Sequence, residues 1–451
     1  MYLLSQTTTN VAITGISEAG KTTFLASLLW HLSQYGAQTK ANKFIVKGKN
    51  GQDIDLFDIK VNDNLFTAHT FRHEDVFNRM IEKRSFPEKT KDWKECTVTF
   101  GRSDWRYYQT LNIYDFPGER VTDLALMAGK NYVQWSKAFF DSLAKIEGSS
   151  RLTGAYETDV RDAKDFGDYL HAYKKLVASL IEEWGSLVSP STLLLDTDGL
   201  NFRAKINQFL AQRKETAAEQ INVTQKINAF IATSIAGQRN AEFIPILPDM
   251  PVPAHVLENF KENYKHYVRK VLKPLVCKIA NSHKILMLFD IPTLLQSGDK
   301  AYNEATVIAR KLAVTVKPAN NFFQKYAGWC GLRWVANPLQ QVIFIASQAD
   351  RIKTDDFNAG KLSAMLQQTV GSLRPSIFPL SSESTICSAI WSHTPEIDTI
   401  ASAMPNNIPQ QFAPNEYMFP LTVCNVPKTL VNPPTHYNLD HIFNLIINKA
   451  K

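Results

Sequence analysis

Eight residues, Gly15-Ile16-Ser17-Glu18-Ala19-Gly20-Lys21-Thr22, stand between a β-prone run, Val11-Ala12-Ile13-Thr14, and a helix-forming stretch, Phe24 to Leu32. A strand that stops at one glycine, followed by a helix that opens on Lys-Thr after a second, is the order of a phosphate loop. Backbone amides of such a loop, with the positive end of the helix, surround a β-phosphate. In that reading Gly15, Ser17, Glu18, Ala19, Gly20, Lys21, Thr22 and Thr23 are the nucleotide-binding residues of this segment. Lys21 reaches the β- and γ-phosphates, and the Thr22 hydroxyl takes Mg²⁺. A chance match in a chain of this size has a probability of roughly one in a hundred. The flanking strand and helix lower it further, so the motif dictates an α/β fold with a mostly parallel sheet.

The rest of the chain has to supply that sheet. Short β-prone segments recur at Phe44-Ile45-Val46, Leu56-Phe57-Asp58-Ile59, Cys96 to Phe100 and Thr110 to Tyr114. Ile285 to Phe289 and Gln341 to Ile345 are continuous apolar runs, as strands buried on both faces require. Between them the period changes. Tyr132, Trp135, Phe139, Phe140, Leu143 and Ile146 fall at helical spacing. Phe166, Tyr169, Leu170, Tyr173, Leu176, Val177, Leu180, Ile181 and Trp184 do the same, as do Leu257, Phe260, Tyr264, Tyr267, Val268, Val271, Leu272, Leu275 and Ile279. Pro274 predicts a kink in the last of these helices. At 451 residues the chain exceeds one ordinary core. The pattern divides it into a P-loop GTPase-like nucleotide-binding domain of residues 1–122 and 284–451 and a helical insertion domain of 123–283. Aromatic stripes of this kind are helix-to-helix core before they are a cofactor pocket.

Asp115-Phe116-Pro117-Gly118 closes the strand that ends at Tyr114. On a strand end downstream of a phosphate loop it reads as DxxG, with Asp115 holding Mg²⁺ through water and the Gly118 amide facing the γ-phosphate. Glu119 follows, where it either orients the attacking water or is a solvated charge. Ser347-Gln348-Ala349-Asp350 leaves the Gln341–Ile345 run in the manner of a guanine-reading [N/T]KxD motif. The Asp350 carboxylate there accepts from guanine N1 and N2 donors that adenine lacks, and Gln348 replaces the lysine. Cys387-Ser388-Ala389-Ile390 gives Ser388, Ala389 and Ile390 as the residues on the other side of the base. Thr90, in Arg84-Ser85-Phe86-Pro87-Glu88-Lys89-Thr90, is the candidate to complete the metal shell. Arg84 is the candidate arginine finger, with a surface ion pair as its plain alternative.

In this order the motifs resemble those of the YcjX-like family of bacterial P-loop proteins, and the likeness covers nearly the whole chain. The resemblance implies a GTPase-type core, a bacterial cytoplasmic setting that leaves peripheral association with the inner membrane open, and a link to the phage-shock response. It also implies a likeness to heterotrimeric G-protein α subunits, which carry an attached helical domain. The family more often has tryptophan at Ser85-Phe86 and near Arg120, and lysine at Gln348.

The expected activity is binding of GTP or GDP with Mg²⁺ and slow GTP hydrolysis in a molecular switch, its effector or activator protein unknown. An interaction module with negligible turnover, or an ATPase, is the alternative. Catalysis then rests on Lys21, Arg84, Thr90, Gly118 and Glu119, with Thr22, Thr90 and Asp115 at the metal. A net charge of +7, spread along the chain, does not argue for nucleic acid as a partner. No apolar run reaches the roughly 18 residues of a spanning helix. The five cysteines, with no CxxC pair, read as reduced thiols.

Overall fold

The computed structural model describes residues 7–15, 19–36, 43–62, 67, 69–83, 87, 93–127, 129–144, 148–184, 243–316, 339–377, 380–389, 395–413, 415–419 and 436–448. The chain splits into two compact units, residues 1–118 with 277–451, and 119–276.

The first unit is built on a seven-stranded sheet: β1 (Thr7–Gly15), β2 (Leu56–Val61), β3 (Lys94–Arg102), β4 (Trp105–Asp115), β5 (Lys284–Phe289), β6 (Gln341–Ala346) and β7 (Ser381–Ile386). Their order across the sheet is β2-β3-β4-β1-β5-β6-β7. β4, β1, β5, β6 and β7 run parallel, whereas β2 and β3 are antiparallel to their neighbours. Every residue of β5 and β6 is buried, the reason both read as unbroken apolar runs. β7 is a strand the apolar pattern does not reveal. Its sequence, Ser-Ser-Glu-Ser-Thr-Ile, buries only Thr385, because an edge strand is held by its ladder to β6 rather than by a hydrophobic face.

Phe44 and Val46 are buried as alternation predicts but lie outside the named strands, tied instead by a bridge between Lys47 and Asp53. The helix Lys21–Ser33 presses Phe24, Leu25, Leu28, Leu29 and Leu32 onto the sheet, and at about 1.5–3 kcal/mol per large apolar side chain this burial anchors the loop that precedes it. The helix Leu439–Ile447 inserts Ile442, Phe443 and Ile446 into the same core.

The described residues of the second unit include the helices Tyr132–Leu143, Ser149–Asp162, Phe166–Trp184 and Ala254–Tyr267. The first opens on a capping box, with Asn131 and Gln134 each bonding the other's backbone. The aromatic stripes meet in one cluster around Trp135, Tyr156, Tyr173, Phe260 and Tyr264. The tyrosines there are core residues with their hydroxyls satisfied. Tyr132 donates to the Ile244 carbonyl at 2.7 Å and Tyr156 to that of Pro245 at 2.9 Å. Burial raises both phenol pKa values, so both stay neutral donors. The helix predicted to kink at Pro274 passes through a π-helical turn at Val268–Leu272 before Lys273–Ala280. Pro274 has no amide hydrogen and its ring crowds the carbonyl of residue 270, so the irregularity falls in the turn before it.

Candidate functional site

Gly15 ends β1 against the backbone of β5: a Cβ placed there would stand 2.5 Å from the Leu288 carbonyl oxygen. Gly20, in left-handed conformation with φ 72°, caps the helix that Lys21 begins, a geometry glycine adopts at no steric cost. Ile16, Ser17 and Glu18 lie outside the described residues, so the loop is defined by its two ends and by Ala19, which is fully buried. Lys21 is itself buried, as are Phe24 and Leu25 beyond it.

Asp115 is the last residue of β4, paired in register with Ile13 of β1, and is fully buried. The parallel pairing carries it to the loop, where the Thr22 hydroxyl donates to its Oδ2 at 3.3 Å. The Phe116 amide then bonds the Ile13 carbonyl at 3.3 Å, and Gly118 opens the helix Gly118–Met127. Asp115 also raises the pKa of the buried Cys96 thiol, after burial itself. That keeps Cys96 a neutral thiol behind the carboxylate. Two oxygen donors, a hydroxyl and a carboxylate, thus face each other at the helix start, and this donor set suits Mg²⁺. Arg84 and Thr90 lie outside the described residues, as does the Glu119 side chain.

Ser347 stands just past β6 and joins three segments. Its hydroxyl donates to the Ala19 carbonyl at 2.8 Å and lies 3.3 Å from the Phe289 carbonyl, while its amide donates to Phe289 at 2.9 Å. Ser347-Gln348-Ala349-Asp350 is therefore tied directly to the segment between β1 and the Lys21–Ser33 helix, at Ala19, and to the end of β5. Asp350 is buried and accepts from the Ser388 hydroxyl at 2.9 Å. The Ala349 amide bonds the Cys387 carbonyl at 3.4 Å, and Ser388 is held by a two-bond bridge to Tyr437. Ala389 follows, half-buried against the core; Ile390 lies outside the described residues. As with Cys96, burial and then the Asp350 charge push the Cys387 pKa up. Cys96 and Cys387 are free. Cys277 is paired in a disulfide and corrects the expectation of five reduced thiols.

Two side-chain groups, one in each unit, are not legible as motifs. Asp290, one residue past β5, caps the helix Ile291–Gln296 by accepting from the Thr293 amide at 3.0 Å, and forms a buried ion pair with Arg351 at 3.0 Å. The only signal in the sequence is an Asp two residues before a proline that sits in a first helical turn. In the second unit Arg120 donates to the Tyr267 hydroxyl at 2.8 Å, and that hydroxyl donates to Asp123. All three side chains are buried. Nothing in their spacing announces this network, because Tyr267 is remote in sequence.

A family described as "YcjX-like family, DUF463" matches residues 9–377 of the chain. A protein of Shewanella oneidensis named "Ras-like GTPase YcjX" is 21% identical over 375 residues, covering 76% of this chain and 69% of its own. The family match takes in β1 from Thr9 onward, the Asp115 strand end and the Asp350 loop.

Proposed function

This chain belongs to the YcjX-like family, and from that premise we propose that it binds GTP and GDP with Mg²⁺ and hydrolyses GTP slowly, as a switch. The observation that carries the proposal is the convergence at Ala19. The bonds Ser347–Ala19 and Ser388–Asp350 gather a phosphate-type loop, a carboxylate-bearing loop and a Ser-Ala segment at one edge of the parallel sheet, the carboxyl edge where such folds bind nucleotides. The name of the Shewanella relative, a Ras-like GTPase, points the same way.

In this reading Lys21 lies against the β- and γ-phosphates, and the amides from Gly15 to Thr23 enclose the β-phosphate. Thr22 and Asp115 would hold the ion. When bound, Mg²⁺ would supply positive charge that offsets the charge of the phosphates. Thr90 and the Gly118 amide sense the γ-phosphate, and Glu119 orients the attacking water. Arg84 offsets charge developing between the β- and γ-phosphoryl groups. Asp350 accepts from the guanine N1 and N2 donors, with Gln348 and the segment Ser388-Ala389-Ile390 lining the base. Catalysis is by positioning and electrostatics, so no side-chain nucleophile is needed. The helices of residues 123–283 act as an inserted domain in the manner of a G-protein α subunit, and offer a surface for an effector. A stress-response role at the inner face of a bacterial membrane follows from the family resemblance.

The deciding experiment is Mg²⁺-dependent binding of fluorescent GDP, competed separately by GTP and ATP, with phosphate release followed alongside. GTP should compete far better than ATP, and Lys21→Ala should lower turnover by about a hundredfold or more. Equal competition would reassign Asp350 and make the chain a general P-loop NTPase. Tight GTP binding without phosphate release would make it an interaction module.

A further inference from the structure

Gln348 stands where related guanine-binding loops have lysine, and its side chain is held at both ends. Its Nε2 donates to Asp290 Oδ2 at 2.8 Å, and its Oε1 accepts from the Arg351 guanidinium at 3.1 Å. A carboxylate can only accept and a guanidinium can only donate, so one orientation of the carboxamide satisfies both. Arg351, only 1% exposed, also bonds Asp290 Oδ1 and Oδ2, the Thr293 hydroxyl at 2.6 Å and the Phe419 carbonyl at 2.9 Å. The backbone of Gln348 is left-handed, φ 58°, which turns its stem toward the phosphate-loop segment. A Cβ added at Gly20 would stand 3.9 Å from Gln348 Cγ and Nε2.

A lysine at this position would have donors only. It could reach Asp290, but its ammonium would meet Arg351 with nothing to offer it and would place two cations on one carboxylate. Glutamine is the neutral side chain of similar reach that answers both partners. We propose that Asp290 and Arg351 are positioning residues for purine-base selection, acting through Gln348: they pin its aliphatic stem beside Gly20, where it provides the wall that a lysine stem provides elsewhere. This rests on the nucleotide reading above. It assigns base selectivity to a coupled trio rather than to Asp350 alone, and it explains why this chain does without the lysine.

The test is competition of GDP and of ADP against fluorescent GDP on the full chain with Mg²⁺, for wild type, Gln348→Met, Asp290→Asn and the double variant. Methionine keeps the stem length and loses both hydrogen bonds. Each single variant should lower the guanine-to-adenine affinity ratio by roughly tenfold, the scale of one lost hydrogen bond to a charged group. The double variant should lose no more than either single, because both act through one contact. A merely structural role would lower thermal stability and leave the ratio unmoved. The inference is overturned if Gln348→Met keeps the wild-type ratio, or if the losses in the double variant multiply. Should Asp290→Asn fail to fold, Gln348→Met still decides, since its side chain is only half-buried. A wild type that does not discriminate defeats the nucleotide reading before any variant is made; a discriminating wild type with unmoved variants defeats this inference alone.

Discussion

Gly15 has no room for a side chain. Its Cα faces the Leu288 carbonyl so closely that a methyl group would need the β1–β5 backbone to separate. Gly15→Ala should therefore cost about 1–3 kcal/mol, read as a lower urea midpoint at unchanged slope. A midpoint equal to that of wild type would mean the strands part freely there. The same scale separates what a motif states from what surrounds it. Residue order alone marks Gly15, Lys21, Thr22, Asp115 and Asp350 as candidates, because the proposed chemistry would fix their spacing. Asp290 and Arg351 carry no such signature. Each is an ordinary charged residue in sequence, and only their 3.0 Å ion pair gives them a role.

At the scale of elements, β5 links the two ends of the sheet. Its last residues border the candidate site, while its first, Lys284, is 2% exposed and donates to the Leu445 and Asn448 carbonyls at the end of the Leu439–Ile447 helix. Burial pulls the Lys284 pKa down to about 8 from 10.5. The folded chain thus sheds this proton before the unfolded chain does. Its contribution to stability is fully present above pH 10.5 and is lost as pH falls through 8. Between pH 8 and 9.5 stability should rise with pH, by at most about 3 kcal/mol over the full window. Lys284→Met should flatten that rise in urea titrations at stepped pH; an unchanged slope would remove Lys284 as its source. β5 and β6 are readable as strands because both faces are buried. β7 is not, because its partner is the ladder and its side chains are polar.

At the scale of the whole molecule, each of the two compact units has a hydrophobic cluster of its own among the described residues. In the helical one, Trp135 is 1% exposed and packs against Tyr132, Phe243 and Tyr264. Trp135→Ala should cost about 3–5 kcal/mol, seen as an early loss of helical circular dichroism on heating. A melt like that of wild type would show that the aromatic cluster contributes little. Among the described residues no helix is long and apolar enough to cross a membrane.

By itself the sequence determined that the glycine-framed segment ending in Lys21-Thr22 lies between a strand and a helix, and that β5 and β6 are buried on both faces. Each is local, because hydrophobic period and glycine spacing act over a few residues. Only the tertiary structure decided that Ser347 bonds Ala19, that Ser388 meets Asp350, and that Gln348 is held between Asp290 and Arg351. Apart from Gln348 and Arg351, which are three residues apart, those partners are distant along the chain, and they meet because parallel strands bring all their carboxyl ends to one edge of the sheet.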